Sequence, residues 1–245
     1  MFKNLKKINI VFFIAMIFII IINLIIYFIN RDLSVNNEEL YKARDKIFII
    51  IDPGHGGIDS GAVNQYGENE APINLEISKY LMNFLDSTGF EVEMTRYGSI
   101  GLYNEGANTT IREKKNEDLD NRVKIINASE ADLIVSVHLN AFTQSQYYGA
   151  QSFYKSNCGE SKTAAEIIQQ NLRNILDKNN ERVPQAKKDV RVLDESKLPI
   201  VLVECGFVSN AEEGRLLSTP DYQEKVAWAI YAGIIEYFEK NLVER

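Results

Sequence analysis

Two periodicities divide most of the chain. Short continuous apolar runs end in polar turns, and between them lie longer stretches with apolar residues every three or four positions. Lys46 to Ile51 is apolar and closed by Asp-Pro-Gly, which suits a central strand buried on both faces. Ala71 to Ser87 places Ile73, Ile77, Leu81, Phe84 and Leu85 on one helical face, with Pro72 in the first turn and Gly89 as the stop. Phe90 to Thr95 alternates as a strand, and Ser99 to Glu117 is polar and reads as a surface loop. A short helix is expected over Glu117 to Ala128, then strands over Asp132 to Val137 and Ala150 to Tyr154. Ser161 to Lys178 reads as a helix, Asn179 to Asp189 as a basic loop, and Val190 to Leu193 as a short strand. Ile200 to Val203 is a strong strand, and Tyr222 to Leu242 is a closing helix with Val226, Ile230, Ile234 and Tyr237 inward. Strands alternating with helices predict an α/β fold, a single domain with a mostly parallel central sheet flanked by helices.

One stretch belongs to neither pattern. Ile8 to Ile29 is apolar except for Asn9 and Asn23. As a helix it would run roughly 33 Å, enough to cross a bilayer. Lys3, Lys6 and Lys7 precede it, which favours a cytoplasmic amino terminus. No small-residue cleavage pattern follows Ile29, so an uncleaved anchor is favoured over a signal peptide. The division expected is a membrane anchor or signal segment at 1–32, a polar linker at 33–45 and a folded domain at 46–242. In either case the domain lies outside the cytoplasmic membrane.

Charge and cysteines narrow the classes further. The formal net charge of the 245 residues is -7, which argues against a nucleic-acid binder with a basic stripe. Cys158 and Cys205 are too few for a disulfide framework. Cys205 reads as a small buried residue at a strand end rather than a metal ligand.

The candidate chemistry lies at strand ends. The only histidines are His55, in Asp52-Pro53-Gly54-His55-Gly56-Gly57, and His138, in Ser136-Val137-His138-Leu139-Asn140. Glu204 follows the strand Ile200 to Val203 in the same way. Carboxyl ends of parallel strands meet in one crevice, and two imidazoles with a carboxylate are a common catalytic zinc set. The alternative is that each histidine is an ordinary polar strand-end residue. Asp52, Asp59, Glu68 and Glu70 are the candidates for a third ligand. Asp52 more naturally braces the turn before Pro53, and a helix start beside Glu70 would favour its ionised form. Spacing barely separates Glu70 from Glu68. Glu204 is placed to act as an acid/base opposite a metal-bound water, or to form a structural salt bridge with Arg122 or Arg191.

Read together, these blocks resemble the zinc-dependent N-acetylmuramoyl-L-alanine amidases, the amidase 3 family. The resemblance covers Ile47 to Leu242. It rests on Asp52 to Gly57 with Asp59 and Gly61-Ala62, on Glu70 followed by Asn74-Leu75, and on Thr95-Arg96. It continues through Arg122, Ala131-Asp132, Ser136 to Ala141, and Pro199 to Asn210. It implies that His55, Glu70 and His138 hold zinc, and that Glu204 is the catalytic acid/base. It also implies that Asn140 and Arg191 touch substrate or support the ligands. Glu70 is preferred over Glu68 because it has the family's spacing to Asn-Leu.

The implied reaction is hydrolysis of the amide between N-acetylmuramic acid and L-alanine in peptidoglycan. The short anchored form looks most like the germination-specific, sporulation amidases of endospore-forming bacteria, which act in forming muramic-δ-lactam in spore cortex. The partners implied are peptidoglycan and the membrane, with room for an accessory envelope protein. Two other readings are a zinc peptidase acting within stem peptides and a non-catalytic anchored wall-binding protein. Residues 99–117 are longer than the family pattern suggests, and Cys205 stands where an aliphatic residue is usual.

Overall fold

The computed structural model describes residues 46–106 and 109–243, together with Ile22. The expected anchor at 1–32 and linker at 33–45 thus lie outside the described residues, Ile22 excepted. Among the described residues no helix is long and apolar enough to cross a membrane.

The described residues form a six-stranded sheet in the order β2-β1-β3-β6-β4-β5. The strands are β1 (Phe48–Pro53), β2 (Glu91–Met94), β3 (Leu133–Asn140), β4 (Gln151–Lys155), β5 (Gln185–Lys187) and β6 (Ile200–Phe207). All neighbouring pairs are parallel except β4 with β6. The helices are α1 (Glu70–Ser87), α2 (Ile111–Ala128), α3 (Gly159–Ile175), α4 (Arg191–Glu195), α5 (Ala211–Leu217) and α6 (Pro220–Val243).

Side chains alternate across a strand, so each buried strand feeds two cores. Ile49 and Ile51 of β1, Val135 and Val137 of β3, and Val201 and Val203 of β6 enter the larger core with residues of α1, α3 and α6. Ile50, Ile134, Ile200 and Leu202 face the other way, onto Ile126 of α2 and Val192 and Leu193 of α4. This two-sided burial explains why these strands read as unbroken apolar runs.

The same alternation positions the polar residues. Asp52 pairs in register with Ser136, and His138 with Glu204. All four fall on the parity of Ile50, Ile134 and Leu202, so they cap the smaller core at the carboxyl ends of the strands.

Several elements depart from the sequence reading. α2 begins at Ile111, inside the segment expected to be loop, because Thr110 and Glu113 form a reciprocal capping box. Val190 to Leu193, expected as a strand, belongs to the short helix α4 and the residue capping it. The basic segment 179–189, expected to be loop, contains β5. α5 was not foreseen; Asn210 caps it by accepting from the amides of Glu212 and Glu213.

Leu81 of α1 is fully buried in the larger core. Leu81→Ala should lower the unfolding free energy by about 2–5 kcal/mol, read from urea denaturation of the full chain.

Candidate metal centre

The site is built on a loop that β1 cannot continue as strand. Pro53 closes β1, and His55 follows with φ 60°, a left-handed conformation rare for a non-glycine residue. Two buried arginines hold this turn by its carbonyls. Arg122 donates to the backbone oxygens of Pro53 and His55 at 2.6 and 2.5 Å. Arg96 donates to those of Pro53 and Gly54, both at 2.9 Å. A side chain at residue 54 would place its Cβ 2.3 Å from the His138 ring, so glycine alone lets the two histidine segments close on each other.

Beneath the turn lies an ion cluster. Asp52, fully buried, accepts from Arg122 at 2.7 Å, from the Thr95 hydroxyl at 2.7 Å and from the Ser136 hydroxyl at 2.8 Å. Burial alone would raise the Asp52 carboxyl. The Arg122 charge and the two hydroxyls outweigh it and hold the group down at about 2. Arg122 also donates to Asp118 at 2.6 Å, one helical turn away on α2.

Above the turn the three expected ligands converge. Glu70 Oε1 lies 3.2 Å from His55 Nε2 and 3.2 Å from His138 Nδ1. One donor atom from each residue falls within 4.8 Å of the others, an arrangement that could hold a metal ion. Ligands about 2.0–2.1 Å from a tetrahedral ion lie roughly 3.3 Å apart, so the two short edges fit zinc.

Each ligand is itself held. Glu70 is 2 % exposed, in the first turn of α1. Its Oε1 accepts from the Leu139 amide at 2.9 Å and from Asn74 Nδ2 at 3.1 Å, and its Oε2 accepts from the Ala62 amide at 2.9 Å. His55 Nδ1 lies 2.8 Å from Asp59 Oδ2, and Lys115 of α2 donates to the other Asp59 oxygen at 2.7 Å. A carboxylate behind a histidine in this way fixes the tautomer that leaves Nε2 free to ligate.

The charges follow from this crowding. Burial pulls the His55 imidazole down, but the Asp59 and Glu70 carboxylates outweigh it and push it up to about 9. Burial likewise acts to raise Glu70, and the two histidines hold it far below the usual carboxylate range. An anionic Glu70 between two imidazoles is what a cation would replace a proton to reach.

Glu204 sits beside His138 on the neighbouring strand and is 7 % exposed. Its Oε1 accepts from Lys187 Nζ at 2.9 Å. Among the described residues its Oε2 is buried with no hydrogen-bond partner. The salt-bridge partners considered from sequence, Arg122 and Arg191, are engaged elsewhere, and Lys187 was missed.

The four third-ligand candidates separate cleanly in space. Glu70 joins the histidines, Asp52 lies beneath them, and Asp59 stands behind His55. Glu68 bonds Asn64 and Ser218 instead. Asn140 is half-buried at the end of β3. Arg191 forms ion pairs with Asp120 and Glu195, the latter at 3.1 Å. Cys158 and Cys205 are both free thiols.

A family model described as N-acetylmuramoyl-L-alanine amidase matches residues 49–236. The chain belongs to the N-acetylmuramoyl-L-alanine amidase family. The germination-specific N-acetylmuramoyl-L-alanine amidase of Bacillus subtilis is 41% identical over 194 residues, 79% of this chain and 80% of that protein. AmiA of Escherichia coli is 31% identical over 242 residues, 80% of this chain and 78% of that protein. The solved structure of the CwlD amidase from Clostridioides difficile, in complex with the GerS lipoprotein, superposes with a TM-score of 0.77. It is 46% identical and covers 80% of this chain and 99% of that chain. The shared region of this amidase holds every element that carries a clustered side chain.

Two outcomes are expected. Asp59→Ala should weaken zinc affinity by about 10–100-fold, measured by competition with a fluorescent chelator. The folded state holds the Asp52 carboxyl below its ordinary 3.8. The stability this gives is present in full above that value and drains away as pH falls toward about 2. Asp52→Asn should therefore flatten the acid limb of the stability curve between about pH 4 and 2, followed by urea midpoints across that range.

Proposed function

We propose that this amidase is a zinc hydrolase in which His55, Glu70 and His138 hold the ion and Glu204 moves the proton. One observation carries the reading: a carboxylate oxygen, buried and unpartnered among the described residues, on the strand position next to His138. Such an oxygen is costly to leave unpaired, and a water poised for attack is a partner of the right chemistry. When bound, zinc would polarise the scissile carbonyl and acidify the attacking water.

The chain's own groups do the rest. Glu204 Oε2 accepts the proton as the water oxygen attacks the lactyl carbonyl carbon of N-acetylmuramic acid. As the carbon–nitrogen bond breaks, Glu204 returns that proton to the alanine nitrogen. The products are a lactyl carboxylate on the glycan and a peptide with a free amino-terminal alanine. Asp59 keeps the His55 ring oriented throughout. Asn140, at the cleft end of β3, contacts substrate; Arg191 would have to release Asp120 and Glu195 to do the same.

The setting is extracytoplasmic. Residues 1–32 anchor the chain in the membrane, 33–45 tether it, and 46–242 form the catalytic domain facing peptidoglycan. The lysines ahead of the apolar run support this orientation. The cellular role proposed is spore cortex maturation, through muramic-δ-lactam formation. The name of the Bacillus subtilis relative supports it. An accessory envelope protein is supported by the lipoprotein bound to the Clostridioides difficile enzyme.

Glu204→Gln should keep the fold and bound zinc and lose activity by at least about 10²-fold. Mass spectrometry of muropeptides reads the activity through free peptides starting with alanine. Undiminished release by that variant would remove Glu204 from the mechanism. Cleavage solely inside the stem peptide would favour a peptidase.

A further inference from the structure

Glu204 has two oxygens in unlike situations: among the described residues Oε2 is buried without a partner, and Oε1 is taken by one lysine. That lysine comes from an unexpected distance. Lys187 lies on β5, and β4 separates β5 from β6 in the sheet. Strands are about 4.7–4.9 Å apart, so the two backbones stand roughly 9–10 Å from each other.

The register brings the side chain to the right face. Gln151 of β4 pairs with Glu204, Phe153 pairs with Leu202 on one side and Gln185 on the other, and Lys155 pairs with Lys187. By alternation, Glu204, Gln151, Phe153, Gln185 and Lys187 all project from one face of the sheet. Lys187 crosses β4 along that face. Its Nζ stands 4.4 Å from the centre of the Phe153 ring and 2.9 Å from Glu204 Oε1. The ring holds the ammonium by its face, and the ammonium holds one carboxylate oxygen.

The geometry points to Lys187 as the residue that positions Glu204 for proton transfer, with Phe153 as its guide. This rests on the reading of Glu204 as the proton carrier. A carboxylate on a freely rotating side chain would present either oxygen at varied angles. With Oε1 tied, the plane of the carboxylate is fixed and Oε2 alone faces the reacting water. Reaction rates fall steeply when a catalytic group strays by about 1 Å. A glutamate this buried also needs a compensating charge, and Lys187 supplies it through Oε1. Lys187 touches neither the three clustered ligands nor, in this arrangement, the reacting atoms, so it acts through Glu204.

The experiment compares the full-length zinc-loaded enzyme with Lys187→Met, Lys187→Arg, Glu204→Gln and the Lys187→Met/Glu204→Gln pair. Each is assayed for kcat and KM on a soluble N-acetylmuramoyl peptide fragment, for zinc content and for its circular dichroism spectrum. Lys187→Met should lower kcat by at least about tenfold, with KM within about twofold, full zinc and an unchanged spectrum. Lys187→Arg, which keeps the charge, should recover most of kcat. The paired variant should be no slower than Glu204→Gln alone, because the lysine has then lost the group it positions. If Lys187→Met fails to fold, Lys187→Gln carries the same expectations.

A Lys187→Met enzyme with kcat within twofold of wild type overturns the inference, as do losses that multiply in the paired variant. In either case an inactive Glu204→Gln enzyme leaves the proton-carrier reading standing. An active Glu204→Gln enzyme overturns both.

Discussion

A buried guanidinium ties together the elements on which the site is built. Arg122 reaches from α2 across the end of β1 and bonds Asp52, Asp118 and the carbonyls of Pro53 and His55. It is one of two arginines that bond the carbonyls of the turn carrying the left-handed His55. Arg122 is 2 % exposed, and a buried carbonyl needs such a donor in place of water. Asp52 balances its charge and is itself tied to β2 through Thr95 and to β3 through Ser136. Three strands and a helix thereby meet beneath the metal position at fixed spacing.

Sheet register supplies the rest of the geometry. His138 and Glu204 are neighbours because β3 and β6 run parallel in that alignment. Glu70 arrives from a different direction, on the first turn of α1, and the amides of Ala62 and Leu139 fix both its oxygens. Glu70 and Glu204 thus rest on separate supports, one on a helix and the other on a strand.

Much of this was legible in the chain, and the reasons are physical. β1, β3 and β6 are buried on both faces, so they read as apolar runs ending in polar residues. The two histidine segments follow directly from the endings of β1 and β3. Glu70 could be told from Glu68 only by resemblance, since two residues along a polar turn leave no periodic signal. The start of α2 was missed because its exposed surface is polar, although Thr110 and Glu113 carried a capping-box spacing. Val190 to Leu193 is too short for either period to declare itself. β5 is the clearest failure: Gln-Ala-Lys has no strand character and is extended because β4 pairs with it. Lys187 was invisible for the same reason, since its place beside Glu204 depends on the register of two other strands.

The sheet has two open flanks, and their composition bears on how the domain behaves when crowded. β2 ends one flank with Glu91 and Glu93, and β5 ends the other with only three residues, followed by a second lysine. Short length and charge are how proteins discourage stray strands from adding to an exposed border. At high concentration any such domain meets its own copies often. Here the borders carry opposite signs, acidic at one and basic at the other, yet neither offers the long flat apolar ribbon that would let such meetings grow into fibres.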